Sequence, residues 1–227
     1  VIGNILYPPL CLHCQAFIKG KRLLLCTICQ SLLHFLEPIN RCSTCFLSIE
    51  GGSVCHHCSQ KNQLGYRVAA VFDYQGPAAT LVHQLKFANR PHLAKELAAF
   101  MLIQLIRLDW PLPDLIVPAP LSITHFFKRG YNQSKLLAKE LSQLIEKPMR
   151  DILKKSSEGF AQMGQNRAQR ELLPQEAISW KKPCMMTHQR ILLIDDVMTT
   201  GTTLRHSAHI LRQGSPASID ALTICLA

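Results

Sequence analysis

Two adjacent carboxylates, Asp195 and Asp196, stand directly after the apolar run Ile191 to Ile194 and just before Met198-Thr199-Thr200-Gly201-Thr202-Thr203. A strand that feeds a helix through such a loop aims successive backbone N–H groups at one point, beside the positive end of the helix dipole. A phosphate suits that point. The threonine hydroxyls add donors, and Gly201 lets the backbone approach closely. The two aspartates are acceptors for a pair of vicinal hydroxyls such as those of a ribose, so the stretch as a whole asks for a ribose 5-phosphate. A plainer reading makes the aspartates caps of the next helix and the threonines turn residues. A Walker loop is excluded, because no Gly-x4-Gly-Lys-[Ser/Thr] occurs.

The second chemical constellation is made of cysteines. Eight of the ten lie in the first 58 residues as Cys-x-x-Cys pairs: Cys11 and Cys14, Cys26 and Cys29, Cys42 and Cys45, Cys55 and Cys58. So short a segment buries too little apolar surface to fold unaided and needs cross-links. Disulfides require an oxidising compartment, and the N-terminal stretch "VIGNILYPPLC" has no export-signal pattern. Zinc requires four ligands in a tetrahedron, which two such pairs supply, so eight cysteines make two closed, structural sites. Gaps of 11 and 9 residues favour sequential pairing, Cys11/Cys14 with Cys26/Cys29 and Cys42/Cys45 with Cys55/Cys58, with a cross-braced pairing open. No glycine follows any second cysteine to relax the turn. His13, His34, His56 and His57 are further candidate ligands, but the cysteines already fill both sites.

From Tyr66 onward, strand-like and helix-like segments alternate. "YRVAAVFDY", "DLIVPAPL", "RILLIDDV" and "SIDALTICL" read as strands. "PAATLVHQLKFA", "HLAKELAAFMLIQLIRL", "YNQSKLLAKELSQLIEK" and "TLRHSAHILRQG" read as helices, the last closed by Gly214. This order predicts an α/β fold with a parallel sheet, whose ligands bind at the carboxyl ends of the strands. Residues 150–189 lack regular apolar periodicity and read as a mobile loop, a lid over the site. The domain boundaries that follow are 1–65 and 66–227.

Composition narrows the class. The chain has 227 residues, is 48% hydrophobic and carries a formal net charge of +10. The longest apolar stretch is interrupted by Lys95, Glu96 and Arg107, so it is an amphipathic helix and not a membrane span. A cytosolic protein with no membrane insertion is expected. Residues 121–190 hold 13 Lys/Arg against 6 Asp/Glu. Lys147, Arg150, Lys154, Lys155, Lys181 and Lys182 could track a single-stranded phosphate backbone, or form a solvated face without a partner. Aromatic stacking partners there are sparse: Phe126, Phe127, Tyr131, Phe160 and Trp180.

"ILLIDDVMTTGTT" resembles the phosphoribosyl pyrophosphate (PRPP) signature of type I phosphoribosyltransferases. With the four cysteine pairs, "FDYQGPAATLVHQLKFANR", "VPAPL" and "KRGYNQSKLLAKEL", nearly the whole chain resembles the ComF/GntX family of competence-associated proteins. The resemblance implies a type I phosphoribosyltransferase-like parallel sheet with helices, plus a small N-terminal zinc-ribbon domain. By the same resemblance Asp195 and Asp196 hold the ribose hydroxyls, and Met198, Thr199, Thr200, Gly201, Thr202 and Thr203 cradle the 5-phosphate. Pro118, Ala119 and Pro120 form the turn where the pyrophosphate loop leaves its strand, while Lys128, Arg129 and Gln133 line the cleft. Lys86 and Phe87 match the region over it. In the loop, Lys155, Ser157, Gly159, Gln162, Gln165, Arg170 and Leu173 depart from the family pattern.

What the resemblance implies chemically is displacement of pyrophosphate from C1 of PRPP by a nitrogen acceptor, with Mg2+ accompanying PRPP. Its implied partners are PRPP, single-stranded DNA and other competence proteins, a DNA translocase among them. Two classes stand open: a competence factor for uptake of single-stranded DNA in natural transformation, and a phosphoribosyltransferase of nucleotide or amine metabolism without a DNA role. No residue selects an acceptor.

Overall fold

The computed structural model describes residues 9–18, 24–49, 55, 56, 58, 66–156 and 177–227. In the N-terminal region, helix α1 spans Thr27–Ser31. There follow β1 (Arg67–Asp73), α2 (Gly76–Phe87), α3 (Leu93–Arg107), β2 (Leu115–Pro118), α4 (Ile123–Arg129) and α5 (Gln133–Leu144). The chain then runs through β3 (Leu153–Ser156), β4 (Ala177–Trp180), β5 (Arg190–Met198), α6 (Thr202–Arg212) and β6 (Ser218–Leu226).

Four strands form one sheet in the order β1-β6-β5-β2. Every neighbouring pair is parallel. Such a sheet must be covered on both faces, which explains why its strands read as unbroken apolar runs instead of alternating ones. Eight successive positions of β6, from Ile219 to Leu226, are buried. Helix α5 packs on β2, β5 and α3, and α6 packs on β5, β6 and β4.

The N-terminal region protects the sheet's edge at β1. Leu36 N donates to Val71 O at 2.8 Å, and Val68 N to Thr44 O at 2.8 Å. Gln104, fully buried on α3, ties this junction by donating Nε2 to Leu36 O at 2.8 Å and to Ala70 O at 3.1 Å. Phe35, Phe72 and Phe100 meet there, with centroids 5.1 to 6.0 Å apart.

Two local features differ from the sequence reading, and a third has its reason in packing. Helix α4 was not anticipated, because none of its residues is buried and it leaves no apolar periodicity to read. Its signals are local: Ser122 caps it by accepting from His125 N at 3.4 Å, and Gly130 ends it at φ +79°. The segment expected to lack structure over 150–189 contains the antiparallel pair β3 and β4, Leu153 opposite Trp180 and Ser156 opposite Ala177. Residues 157–176, including Ser157, Gly159, Gln162, Gln165, Arg170 and Leu173, fall outside the described residues. Finally, Gly214 follows the C-cap Gln213 and closes α6, as expected, but for a reason of packing that the sequence does not show. A Cβ there would lie 2.8 Å from Cys184 O and 2.8 Å from Met186 Cε, so close packing demands the glycine.

Candidate functional site

The site is created by a difference in strand length. β2 pairs with β5 only as far as Pro118 opposite Ile194, whereas β5 continues beside β6 to Met198. Beyond Ala119, whose N–H donates to Ile194 O at 2.8 Å, the chain turns away through Pro120. This leaves a crevice along the free flank of β5 at its carboxyl end, the place where parallel sheets bind ligands. Asp195 and Asp196 lie on that flank.

Consecutive strand residues point to opposite faces, so the two carboxylates have different neighbours. Asp195 Oδ1 accepts from Ser134 Oγ on α5 at 2.8 Å and from the Asp196 backbone N–H at 2.9 Å. Asp196 faces α2 and makes an ion pair with Lys86 Nζ at 3.1 Å; the two side chains are only 10% and 17% exposed. Burial, and then the adjacent Asp196 charge, push the Asp195 carboxyl up to about 7, against the opposing pull of Ser134 and Lys86. Asp195 Oδ1 is already engaged, but a carboxylate has further lone pairs to offer a ribose hydroxyl or a metal.

After β5 the chain passes through Met198 to Thr203 into α6. Gly201 holds φ +69°, a left-handed conformation that side chains disfavour, and it is the N-cap of that helix. A Cβ would meet nothing closer than Met198 Sδ at 3.8 Å, so the backbone angle and not space requires glycine. Gly201 offers no side-chain cap, and the Thr202 N–H is met only by a long bond to Thr200 Oγ1 at 3.4 Å. Thr200 Oγ1 and Thr202 Oγ1 lie 2.9 Å apart at the mouth of the loop. Loop amides, two exposed hydroxyls and a helix N-terminus thus come together a few residues after the acidic pair.

On the other flank, the Pro118-Ala119-Pro120 turn is held by Asn132 Nδ2, which donates to Ala119 O at 2.9 Å. Arg129 stacks over the Phe87 ring at 4.8 Å and donates Nη1 to Gln133 Oε1 at 3.1 Å. Gln133 is buried, and its Nε2 has no partner. Lys128 is exposed. The structure thus gathers Arg129, Gln133, Lys86 and Phe87 at one end of the crevice and the Thr/Gly loop at the other. Ser134 and Asn132 escaped the sequence reading. Both lie in "YNQS", where a short polar run before an apolar helix signals an N-cap but not a contact across 61 residues.

The cysteines form two groups, Cys11/Cys14/Cys26/Cys29 and Cys42/Cys45/Cys55/Cys58, with the sulfurs of each within 4.8 Å of one another. The pairing is sequential. Sγ–Sγ separations of 3.5 to 3.7 Å match the edge of a tetrahedron with Zn–S bonds of about 2.3 Å. Gln15 and Phe46, one residue after the second cysteine of two knuckles, take φ +63° and +61°. The turn that glycine would relax is therefore made by side-chain-bearing residues, at a cost of roughly 1–2 kcal/mol each. Burial opposes ionisation of Cys11, yet backbone hydrogen bonds from Cys14, Cys26 and His13 outweigh it and hold the thiol down at about 6. Cys42 is brought to about 7 in the same way, against burial, by the amides of Cys45 and Thr44. One cysteine of each group is thus held toward thiolate, while burial and the neighbouring sulfurs push Cys29 up to about 12 and Cys58 up to about 11. His13 is not a ligand: its Nδ1 bonds Thr80 Oγ1 on α2 at 2.8 Å. His57 lies outside the described residues.

The basic residues are arranged less simply than their spacing suggests. Asp151 binds both Lys181, at 2.5 Å, and Lys135, at 2.9 Å. Arg150, Lys154 and Lys182 are exposed, and Lys147 and Lys155 are half-buried. Among the described residues, no helix is long and apolar enough to cross a membrane.

Known proteins resemble the chain in two blocks and along its length. Residues 2–59 match the double zinc ribbon domain family and residues 132–227 the phosphoribosyl transferase domain family. The DNA utilization protein YhgH of Salmonella typhi is 28% identical, over 96% of this chain and 97% of its own. Competence protein F of Haemophilus influenzae is 26% identical over 89% and 90%, and competence protein ComFC of Streptococcus pneumoniae 26% over 88% and 86%. Among solved structures, a glutamine PRPP amidotransferase from B. subtilis is 17% identical with a TM-score of 0.42, covering 63% of this chain and 30% of its own.

Proposed function

The chain is a homologue of the competence protein F/ComFC and YhgH proteins that joins a double zinc ribbon to a phosphoribosyl transferase domain, and on that premise we propose that it is a cytoplasmic PRPP-binding competence factor. It handles single-stranded DNA during uptake and carries phosphoribosyltransferase-type chemistry. One observation carries the reading of the site: the crevice beyond the β2–β5 pairing has the Thr/Gly loop at one end, the acidic pair in the middle and two cations at the other.

The 5-phosphate sits on the amides and hydroxyls from Met198 to Thr203. Asp195 and Asp196 accept from the ribose hydroxyls and fix the ring. The pyrophosphate lies over the Pro118-Ala119-Pro120 turn toward Arg129 and Gln133. In transfer, a C1–N bond forms to an amine or base nitrogen, the C1–O bond to pyrophosphate breaks, and the nitrogen loses its proton. Positive charge develops on the ribose as the bond breaks, and the neighbouring carboxylates stabilise it. Among the described residues no third carboxylate joins Asp195 and Asp196, a donor set that fits Mg2+ held largely by ligand oxygens. When bound, Mg2+ neutralises the departing pyrophosphate.

The test is calorimetric titration with PRPP and Mg2+, followed by a pyrophosphate-release assay across candidate nitrogen acceptors. Absence of PRPP binding rejects the reading. A second reading, a phosphoribosyltransferase without a DNA role, draws support from Asp151, which already neutralises part of the basic stripe. Release of pyrophosphate with no affinity for single-stranded DNA favours it.

A further inference from the structure

Helix α4 is built without a buried face. None of its seven residues is buried, and its large apolar side chains stand in water: Phe127 is 82% exposed, Ile123 58% and Phe126 48%. Ile123 precedes the two phenylalanines by three and four residues, so all three share one side of the helix. The helix is held by other means, with Ser122 as its cap, Gly130 at its end and Arg129 bonded to Gln133. An apolar patch that folding does not use, and that costs free energy in water, marks a surface that meets a partner.

The surroundings say which partner. Arg129, in the last turn, lies over the Phe87 ring of α2 at 4.8 Å, and Phe87 meets the His83 ring at 4.9 Å. The exposed aromatics among the described residues are Phe17, Tyr74, Phe87, Phe126 and Phe127, so three of the five are on α4 or against it, and flat rings are offered chiefly here. Phe126 and Phe127 meet edge to face at 6.4 Å, which leaves them splayed and not stacked on each other.

The charge around these rings has one sign. Residues 74–95 and 115–139, the two segments that meet at Phe87 and Arg129, hold seven Lys/Arg and no Asp/Glu. Lys86 and Lys135 are taken by Asp196 and Asp151, whereas the exposed Lys128 adjoins Phe127. The start of α4 also touches the basic hairpin: Ser122 bridges Lys155 of β3, next to the exposed Lys154. Open rings beside cations suit a polyanion with flat, unpaired bases, which a duplex does not offer. A lipid surface suits α4 less, because two turns of helix bury little apolar area in it.

Resting on the single-stranded DNA part of the reading above, we infer that α4 is a base-stacking platform: Phe126 and Phe127 stack bases of a single strand, and Lys128 and Lys154 take its phosphates.

The experiment is fluorescence anisotropy with a labelled oligothymidylate and with an abasic strand of the same length. It uses wild type, the double variant Phe126→Ala/Phe127→Ala, and Phe127→Trp. The double variant should lose at least about tenfold in affinity for oligothymidylate, the scale of one stacked base. Its salt slope should be that of wild type, because no phosphate contact is removed. The abasic strand should bind both proteins alike, and Phe127→Trp should keep the wild-type affinity. The melting temperature should not fall, since neither ring is buried, and PRPP affinity should hold. Wild-type affinity of the double variant for oligothymidylate overturns the inference. An equal loss for the abasic strand overturns it too, since bases are then not what α4 holds. So does loss of binding to vesicles of phosphatidylcholine and phosphatidylglycerol with oligothymidylate affinity kept, which gives the patch to a membrane. Failure of the wild type to bind either strand appears before any substitution and removes the DNA reading together with this one.

Discussion

His13 Nδ1 lies 2.8 Å from Thr80 Oγ1, so a residue between two cysteines of the first four-cysteine group touches the helix that delivers Lys86 to Asp196. The N-terminal region is therefore attached to the crevice through α2 as well as to the sheet edge at β1.

Metal content and removal test that attachment. Purified protein should hold about two zinc ions per chain, since eight thiolates fill two tetrahedra. Chelation should raise amide hydrogen exchange in α2, because the knuckle that fixes His13 loses its cross-link, while β5 and β6 stay protected. One zinc or none per chain contradicts the two-site assignment, and unchanged exchange over 76–87 contradicts the attachment.

Substitution of the acidic pair separates ligand binding from folding. Asp195→Asn keeps the acceptor for Ser134 and removes a charge that burial already disfavours, so the melting temperature should hold or rise. Asp196→Asn leaves the half-buried Lys86 without its counter-charge and should lower it. Each variant should weaken PRPP binding at least about tenfold. A double variant that binds PRPP like wild type removes the ribose assignment.

The raised Asp195 pKa has two pH signatures. Because the folded protein holds this proton up to about 7 and the unfolded chain releases it near 3.8, the group's contribution to stability is full below the lower value. It is lost as pH rises through about 7. Binding that needs the carboxylate strengthens over the same window. Thermal melts from pH 6 to 8 should therefore fall more for wild type than for Asp195→Asn, and PRPP affinity should rise for wild type alone. Parallel melting curves for the two proteins would argue that Asp195 is already ionised at pH 6.

The basic stripe is tested by salt dependence. Lys154 and Lys182 are exposed, whereas Lys181 is held by Asp151. Lys154→Gln with Lys182→Gln should shrink the slope of log K against log salt for a labelled single strand by about 1.4, at about 0.7 per lost phosphate contact. Lys181→Gln should change it less. Fluorescence anisotropy at several salt concentrations gives the slopes, and PRPP affinity should be unaffected in both. Identical slopes for wild type and the double variant take the stripe out of DNA binding.

What the sequence by itself determined was local. The parallel strands were legible because strands buried on both faces carry runs of consecutive apolar residues, as β5 does from Ile191 to Ile194. The cysteine pairs and the Thr/Gly loop were legible because ligand spacing and a left-handed glycine are properties of a few consecutive residues. Only the tertiary structure decided the partners of the acids. Ser134 reaches Asp195 from α5 and Lys86 reaches Asp196 from α2, across 61 and 110 residues of chain, and no periodicity encodes such a meeting. It also decided that Asp151 quiets Lys181, since an exposed lysine and a paired one are identical in sequence. Helix α4 went unread for the related reason that it buries none of its residues, and a helix without a buried face has no pattern to show.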